Sequence, residues 1–134
     1  MNNKIKIIKF NKYKAINGTL IPFYLNKKFP IKVKRFFIIR GNKNQSRGRH
    51  AHKICRQIFI PINGSSTFTI LSPKKKIINL NSNSNIAIML PKLHWCEITF
   101  KSNPTSILVL CDYEYKKSEY IKNIREFYSN FKNK

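Results

Sequence analysis

Two histidines two positions apart, His50 and His52, stand in the run Arg47-Gly48-Arg49-His50-Ala51-His52-Lys53. On an extended strand, residues i and i+2 point to the same side of the sheet, which places these imidazoles about 6.5 to 7 Å apart at Cα. Imidazole titrates near about 6.5, close to working pH, where general acid–base catalysis is most effective. A pair of this kind can serve two neighbouring atoms of one substrate. The run holds two of the chain's three histidines, is flanked by cations, and has no carboxylate nearby. A His-x-His is often only a core or surface pair, so the case rests on what surrounds it.

The elements around it read as all-β. Lys4 to Ile7 alternates as an opening strand, and Asn17-Gly18 signals a hairpin with Leu20 to Leu25 returning. Ile31 to Ile39 forms a strand leading towards the site, and the polar stretch Arg40 to Ser46 is a loop that delivers Arg47. Further strands are expected at Arg56 to Ile62, Thr67 to Leu71, Ile77 to Leu80, Ile86 to Leu90, Trp95 to Lys101 and Ser106 to Cys111. Many short strands at this spacing predict a sandwich or barrel rather than βαβ units. One helix is expected over residues 118–132, capped by Ser118, with Tyr120, Ile124, Phe127 and Phe131 in one apolar stripe.

With 134 residues the chain is expected to form a single domain, 1–134. Its three cysteines (Cys55, Cys96, Cys111) are widely spaced without a Cys-x-x-Cys, which fits a reducing compartment and argues against a disulfide framework. Met1-Asn2-Asn3-Lys4 runs into alternating Lys and Ile rather than a signal-peptide core, and no apolar run approaches a membrane span. A cytoplasmic location without membrane partners is the expectation. The net charge is +22, and all five acids fall after residue 96. Scattered cations without a zinc-finger, helix-turn-helix or RNA-recognition signature predict nucleic-acid binding only of the nonspecific, salt-sensitive kind.

The order His50-x-His52, four residues, Gln57, six residues, Gly64 resembles the first cupin motif, with Gln57 where metal cupins usually carry Glu. The fuller set is similar to the nucleotide-sugar 3,4-ketoisomerases, cupins acting on dTDP-4-keto-6-deoxyhexoses. It comprises Lys34-Arg35-Phe36-Phe37, Arg47-Gly48-x-His50-Ala51-His52-Lys53, Gln57, Asn63-Gly64-Ser65, Trp95-x-Glu97 with Phe100, and Leu108-Val109-Leu110 with Tyr115 and Glu119-Tyr120-Ile121. The blocks span roughly residues 5–131. The resemblance implies a jelly-roll barrel with a C-terminal α-helix, acting without cofactor or metal in deoxyamino-sugar biosynthesis for surface polysaccharide. It also implies a homodimer exchanging amino-terminal strands.

Moving a ketone from C4 to C3 requires taking the C3 proton, passing through an enediol and reprotonating C4. Following the resemblance, His50 is expected to handle the carbon-bound proton and His52 to polarise or protonate oxygen. Arg47, Lys53 and Arg35 would depress the imidazole pKa values and stabilise an enolate, and Arg35 and Arg47 are the expected diphosphate ligands. Arg49 is expected on the opposite face from His50, exposed. Trp95 either stacks on a base or sugar or belongs to the core. Glu97 either orients a histidine, holds a sugar hydroxyl or forms an ordinary salt bridge. Gln57, Cys96 and Asn17 complete the substrate-binding set.

Three departures from the family pattern leave the C4 stereochemistry open. They are Trp95-Cys96-Glu97 for Trp-His-Glu, Phe36-Phe37 where Tyr is common, and Ala15-Ile16-Asn17-Gly18 for an acid–Arg turn. Two alternatives remain at this stage. One is a metal cupin using His50, His52, Gln57 and Cys96 or His94. The other is a basic, non-catalytic module for sugar nucleotide or nucleic acid.

Overall fold

A computed structural model describes residues 3–132. Its core is two facing five-stranded sheets. The strands are β1 (Lys6–Lys9), β2 (Tyr13–Ala15), β3 (Gly18–Leu20), β4 (Arg35–Gly41), β5 (Ser46–His52), β6 (Gln57–Asn63), β7 (Ser65–Leu71), β8 (Lys75–Asn81), β9 (Ile86–Leu90), β10 (Trp95–Phe100), β11 (Thr105–Cys111) and β12 (Tyr120–Ile121), followed by α1 (Ile124–Ser129). One sheet has the order β1-β9-β6-β11-β4 and the other β12-β5-β10-β7-β8, while β2 and β3 pair only with each other. All pairs are antiparallel. The all-β jelly-roll expectation holds.

Alternation along the strands builds the core. Phe68, Ile70, Ile98 and Phe100 from one sheet meet Phe59, Ile88, Leu90, Ile107 and Val109 from the other, all buried. The outer face of the first sheet is apolar as well: Ile58, Ile60, Met89 and Leu110 are covered by Phe10 and Ile31 from the amino-terminal third. This is why β6 is buried at successive positions rather than at alternate ones.

Three expectations are corrected here. The returning strand is only Gly18–Leu20, not Leu20 to Leu25. The loop expected over Arg40 to Ser46 is confined to residues 42–45, because β4 runs on to Gly41 and β5 already begins at Ser46, one residue before Arg47. The C-terminal helix is Ile124–Ser129, much shorter than 118–132, and its cap is Asn123, whose side chain accepts from Arg125 N at 2.9 Å and Glu126 N at 3.1 Å. The apolar stripe read over residues 120–131 is divided. Tyr120 is taken by β12, pairing with His52 on β5, while Phe127 is the buried residue of α1. Pairing to a sheet edge overrides helical spacing here.

Candidate active site

β5 and β10 build the site. Inward alternation on β10 presents Cys96 and Ile98, and outward alternation presents Trp95 and Glu97. The bonded partners are Cys96 opposite His50 and Ile98 opposite Arg47. Between them two residues, Gly48 and Arg49, oppose the single Glu97, a β-bulge. The bulge has a functional consequence. Positions 47 and 50 differ by three and would fall on opposite faces of a regular strand, yet the extra residue brings both inward. Gly48 has φ +101° and Arg49 has φ +62°.

His50, His52, Arg47, Gln57, Cys96, Tyr120 and Lys122 line a cavity of about 770 Å³ at one end of the barrel, together with Phe37, Phe59 and Leu90. The two imidazole centroids lie 5.0 Å apart at 79°. Tyr120 packs on both, 5.0 Å from His50 and 4.4 Å from His52. His52 Nδ1 is 2.5 Å from Glu119 Oε1, and Glu119 Oε2 accepts from the backbone N–H groups of Ile54 at 3.1 Å and Cys55 at 3.3 Å. The other ring nitrogen, Nε2, is buried with no hydrogen-bond partner among the described residues.

Both rings are held neutral. Burial lowers the pKa of His50 to about 4, helped by His52 and Lys122 and opposed by a hydrogen bond to the Gly48 backbone. Burial also lowers His52, more than the Glu119 carboxylate raises it, and Arg35 adds to the lowering. The direction matches the sequence reading, but the chief cause is desolvation rather than charge. Burial pushes the Cys96 thiol up, so it presents a neutral S–H to the cavity.

The expected substrate-binding residues divide in two. His50, His52, Arg47, Gln57 and Cys96 share the cavity. Gln57 is buried, with Nε2 3.5 Å from Cys111 Sγ. The others lie elsewhere. Trp95 packs on Phe127 at 5.8 Å under α1, because it alternates with Cys96 and faces outwards. Glu97 faces the same way and pairs with Arg49, so the ordinary salt bridge is its role here. Arg49 is largely exposed, as expected, though it also borders the cavity rim.

Lys53 points to solvent, its backbone N–H donating to the Glu119 carbonyl at 2.8 Å. Arg35 lies behind Tyr120, donating from Nε to the Tyr113 carbonyl at 3.1 Å, with Phe37 and Tyr115 rings 5.3 and 5.9 Å away. It is a supporting cation rather than a cavity-lining ligand. Asn17 sits exposed in the β2–β3 turn, away from the cavity.

Glu119, Tyr120 and Lys122 were missed as site residues. Their only signal was position: Glu119-Tyr120-Ile121 is one of the blocks carrying the family resemblance, and helical periodicity misdirected it.

Of the metal set offered by the sequence, His50, His52, Gln57 and Cys96 share the cavity, but among the described residues the donor atoms of His50, His52 and Cys96 do not converge as a group that could hold an ion. His94 is buried apart from the cavity with Nδ1 donating to the Lys92 carbonyl at 2.9 Å. Among the described residues, His52, Cys55 and Glu119 do place three donor atoms within 4.8 Å of one another. Both Glu119 oxygens, however, already accept hydrogen bonds from His52 and the backbone.

Residues 3–132 match the FdtA family model (WxcM-like, C-terminal). A TDP-4-oxo-6-deoxy-alpha-D-glucose-3,4-oxoisomerase of Aneurinibacillus thermoaerophilus is 30% identical over 129 residues, covering 95% of this chain and 89% of the relative. A 3,4-ketoisomerase from Helicobacter canadensis superposes with TM-score 0.88 at 31% identity, over 96% of this chain and 98% of that one. A variant of a 3,4-ketoisomerase from Thermoanaerobacterium thermosaccharolyticum, solved in complex with TDP-4-keto-6-deoxyglucose, superposes with TM-score 0.90 at 28% identity, over 100% and 98%.

Proposed function

The chain belongs to the FdtA (WxcM-like, C-terminal) family, and from that premise we propose that it is a nucleotide-sugar 3,4-ketoisomerase acting on a dTDP-linked 4-keto-6-deoxyhexose. The observation that carries the reading is a pair of neutral imidazoles on one cavity wall, 5.0 Å apart, with Arg47 on the same face.

The reaction needs two parallel relocations. The proton on C3 must reach C4, and the proton on O3 must reach O4. His50 takes the C3 proton, made acidic by the adjacent C4 ketone, and returns it to C4. His52 Nε2 accepts the O3 proton and delivers it to O4. Each ring begins and ends neutral, and no oxidant or reductant is consumed. A depressed pKa supplies this resting state, since only the neutral ring can accept a proton. Lys122, close to His50, provides positive charge for the enediolate, and Arg47 provides it for the diphosphate.

The chain works as one domain in the cytoplasm, and as a homodimer whose amino-terminal strands exchange. In support of exchange, β1 occupies a sheet edge, and Tyr13, Ile16, Leu20, Tyr24 and Phe36 expose large apolar surfaces. Among the described residues no helix is long and apolar enough to cross a membrane.

Incubation with dTDP-4-keto-6-deoxyglucose, followed by NMR, tests the activity. A 3-keto isomer accumulating to equilibrium is expected. No conversion of any 4-keto nucleotide sugar by folded protein would overturn the reading.

A further inference from the structure

We propose that Glu119 is a positioning residue that fixes the tautomer of His52, with the proton on Nδ1 and the lone pair on Nε2. The inference rests on the isomerase reading above and deepens it.

Glu119 is placed to act only as an acceptor. Oε2 receives two backbone N–H groups, from Ile54 and Cys55, and Oε1 faces His52 Nδ1 at 2.5 Å. The side chains of His52 and Glu119 are 4% and 2% exposed, so water does not compete for this contact. A neutral imidazole has one N–H and one lone pair. With Nδ1 donating to the carboxylate, the lone pair must sit on Nε2, the buried nitrogen that lacks a partner among the described residues. The ring lines the cavity, so what His52 can offer a bound substrate is a proton acceptor rather than a donor. A substrate hydroxyl has the complementary chemistry.

Accepting that proton makes the ring a cation, and Glu119 then stands as its counter-charge at hydrogen-bond distance. His50 differs. Its hydrogen bond is to the Gly48 backbone, and Lys122 and His52 both disfavour its charged form. This agrees with the division of work in the isomerase reading, in which His52 holds and releases a hydroxyl proton and His50 is the base for carbon. Tyr120, adjacent in sequence to Glu119, packs on both rings and holds them at their mutual angle.

Ring nitrogen NMR of ¹⁵N-histidine-labelled wild-type protein tests the tautomer directly. The expected spectrum has His52 with a protonated Nδ1 and an unprotonated Nε2, and a proton on Nε2 would overturn the proposal. Glu119→Gln tests the role. Its kcat is expected to fall by about 10²-fold or more with KM within about threefold. Exchange of the C3 proton with solvent should continue faster than isomerisation, because His50 is intact. A kcat within about threefold of wild type, or exchange and isomerisation falling together, would overturn it. Should this variant not fold, the wild-type tautomer decides. Wild-type protein without isomerase activity would instead sink the isomerase reading, and the tautomer measurement would remain independent of it.

Discussion

A Cβ added to Gly48 would lie 2.6 Å from the Cys96 carbonyl oxygen, a backbone atom that cannot swing aside. The glycine therefore carries the bulge that turns Arg47 and His50 to one face, combining φ +101° with close approach of the neighbouring strand. Gly48→Ala is expected to cost about 1–3 kcal/mol, seen as a Tm lower by roughly 5 to 10 °C. By shifting the imidazoles it should also reduce kcat/KM by at least about tenfold. Thermal unfolding alongside steady-state kinetics checks both. An alanine variant with native Tm and activity would show that the bulge is not what places the histidines.

The pH profile follows from burial of the rings. His50 must be neutral to act, and its pKa is lowered to about 4. The value of kcat/KM should stay level as pH falls through about 6.5, where an ordinary histidine would lose activity, and decline only towards its own lowered pKa. Stability moves with the same sign. An unfolded histidine takes its proton near about 6.5 while the folded one resists, so the unfolded state binds more protons in between. The contribution of His50 is full above about pH 6.5 and is lost as pH falls towards about 4. Urea unfolding at a series of pH values, paired with pH–rate measurements, would reveal an unshifted limb if the rings were solvated.

Arg47 is the cavity-lining cation among the two arginines expected to grip the diphosphate. Arg47→Ala is expected to raise KM by about tenfold with kcat within about threefold, as for loss of one charge-assisted contact remote from the reacting carbons. Arg47→Lys should recover only part, because the forked geometry is lost. The same kinetics on Arg35→Lys should show a different pattern, with kcat the more affected, since Arg35 stands behind Tyr120.

How far the sequence reached can be traced residue by residue. Strand alternation located the barrel. The same rule, applied to Trp95-Cys96-Glu97, already forbids all three from sharing one cavity, and the structure enforces this. The bulge was signalled only by a glycine inside a strand pattern, too little to predict that Arg47 joins His50. Glu119 could not be paired with His52 from sequence because 67 residues separate them. Their meeting depends on β12 adding to the β5 edge, against a helical spacing that read more strongly.

The charge of +22 makes a separate expectation. Binding to DNA or heparin should be sequence-independent and vanish by moderate salt, with log K falling linearly against log salt. Filter binding or fluorescence anisotropy across a salt series checks this. Salt-resistant, sequence-selective binding would mark nucleic acid as a specific partner.

The central claim, that His50 carries the proton between neighbouring carbons, is tested most directly with dTDP-4-keto-6-deoxyglucose deuterated at C3. Wild-type enzyme is expected to form the 3-keto isomer with a primary isotope effect, with the label either carried to C4 or lost to solvent. His50→Asn, shown to be folded, should give neither isomer nor loss of label, a fall of at least about 10³-fold. Isomer formation by His50→Asn at a rate within about tenfold of wild type would contradict the account.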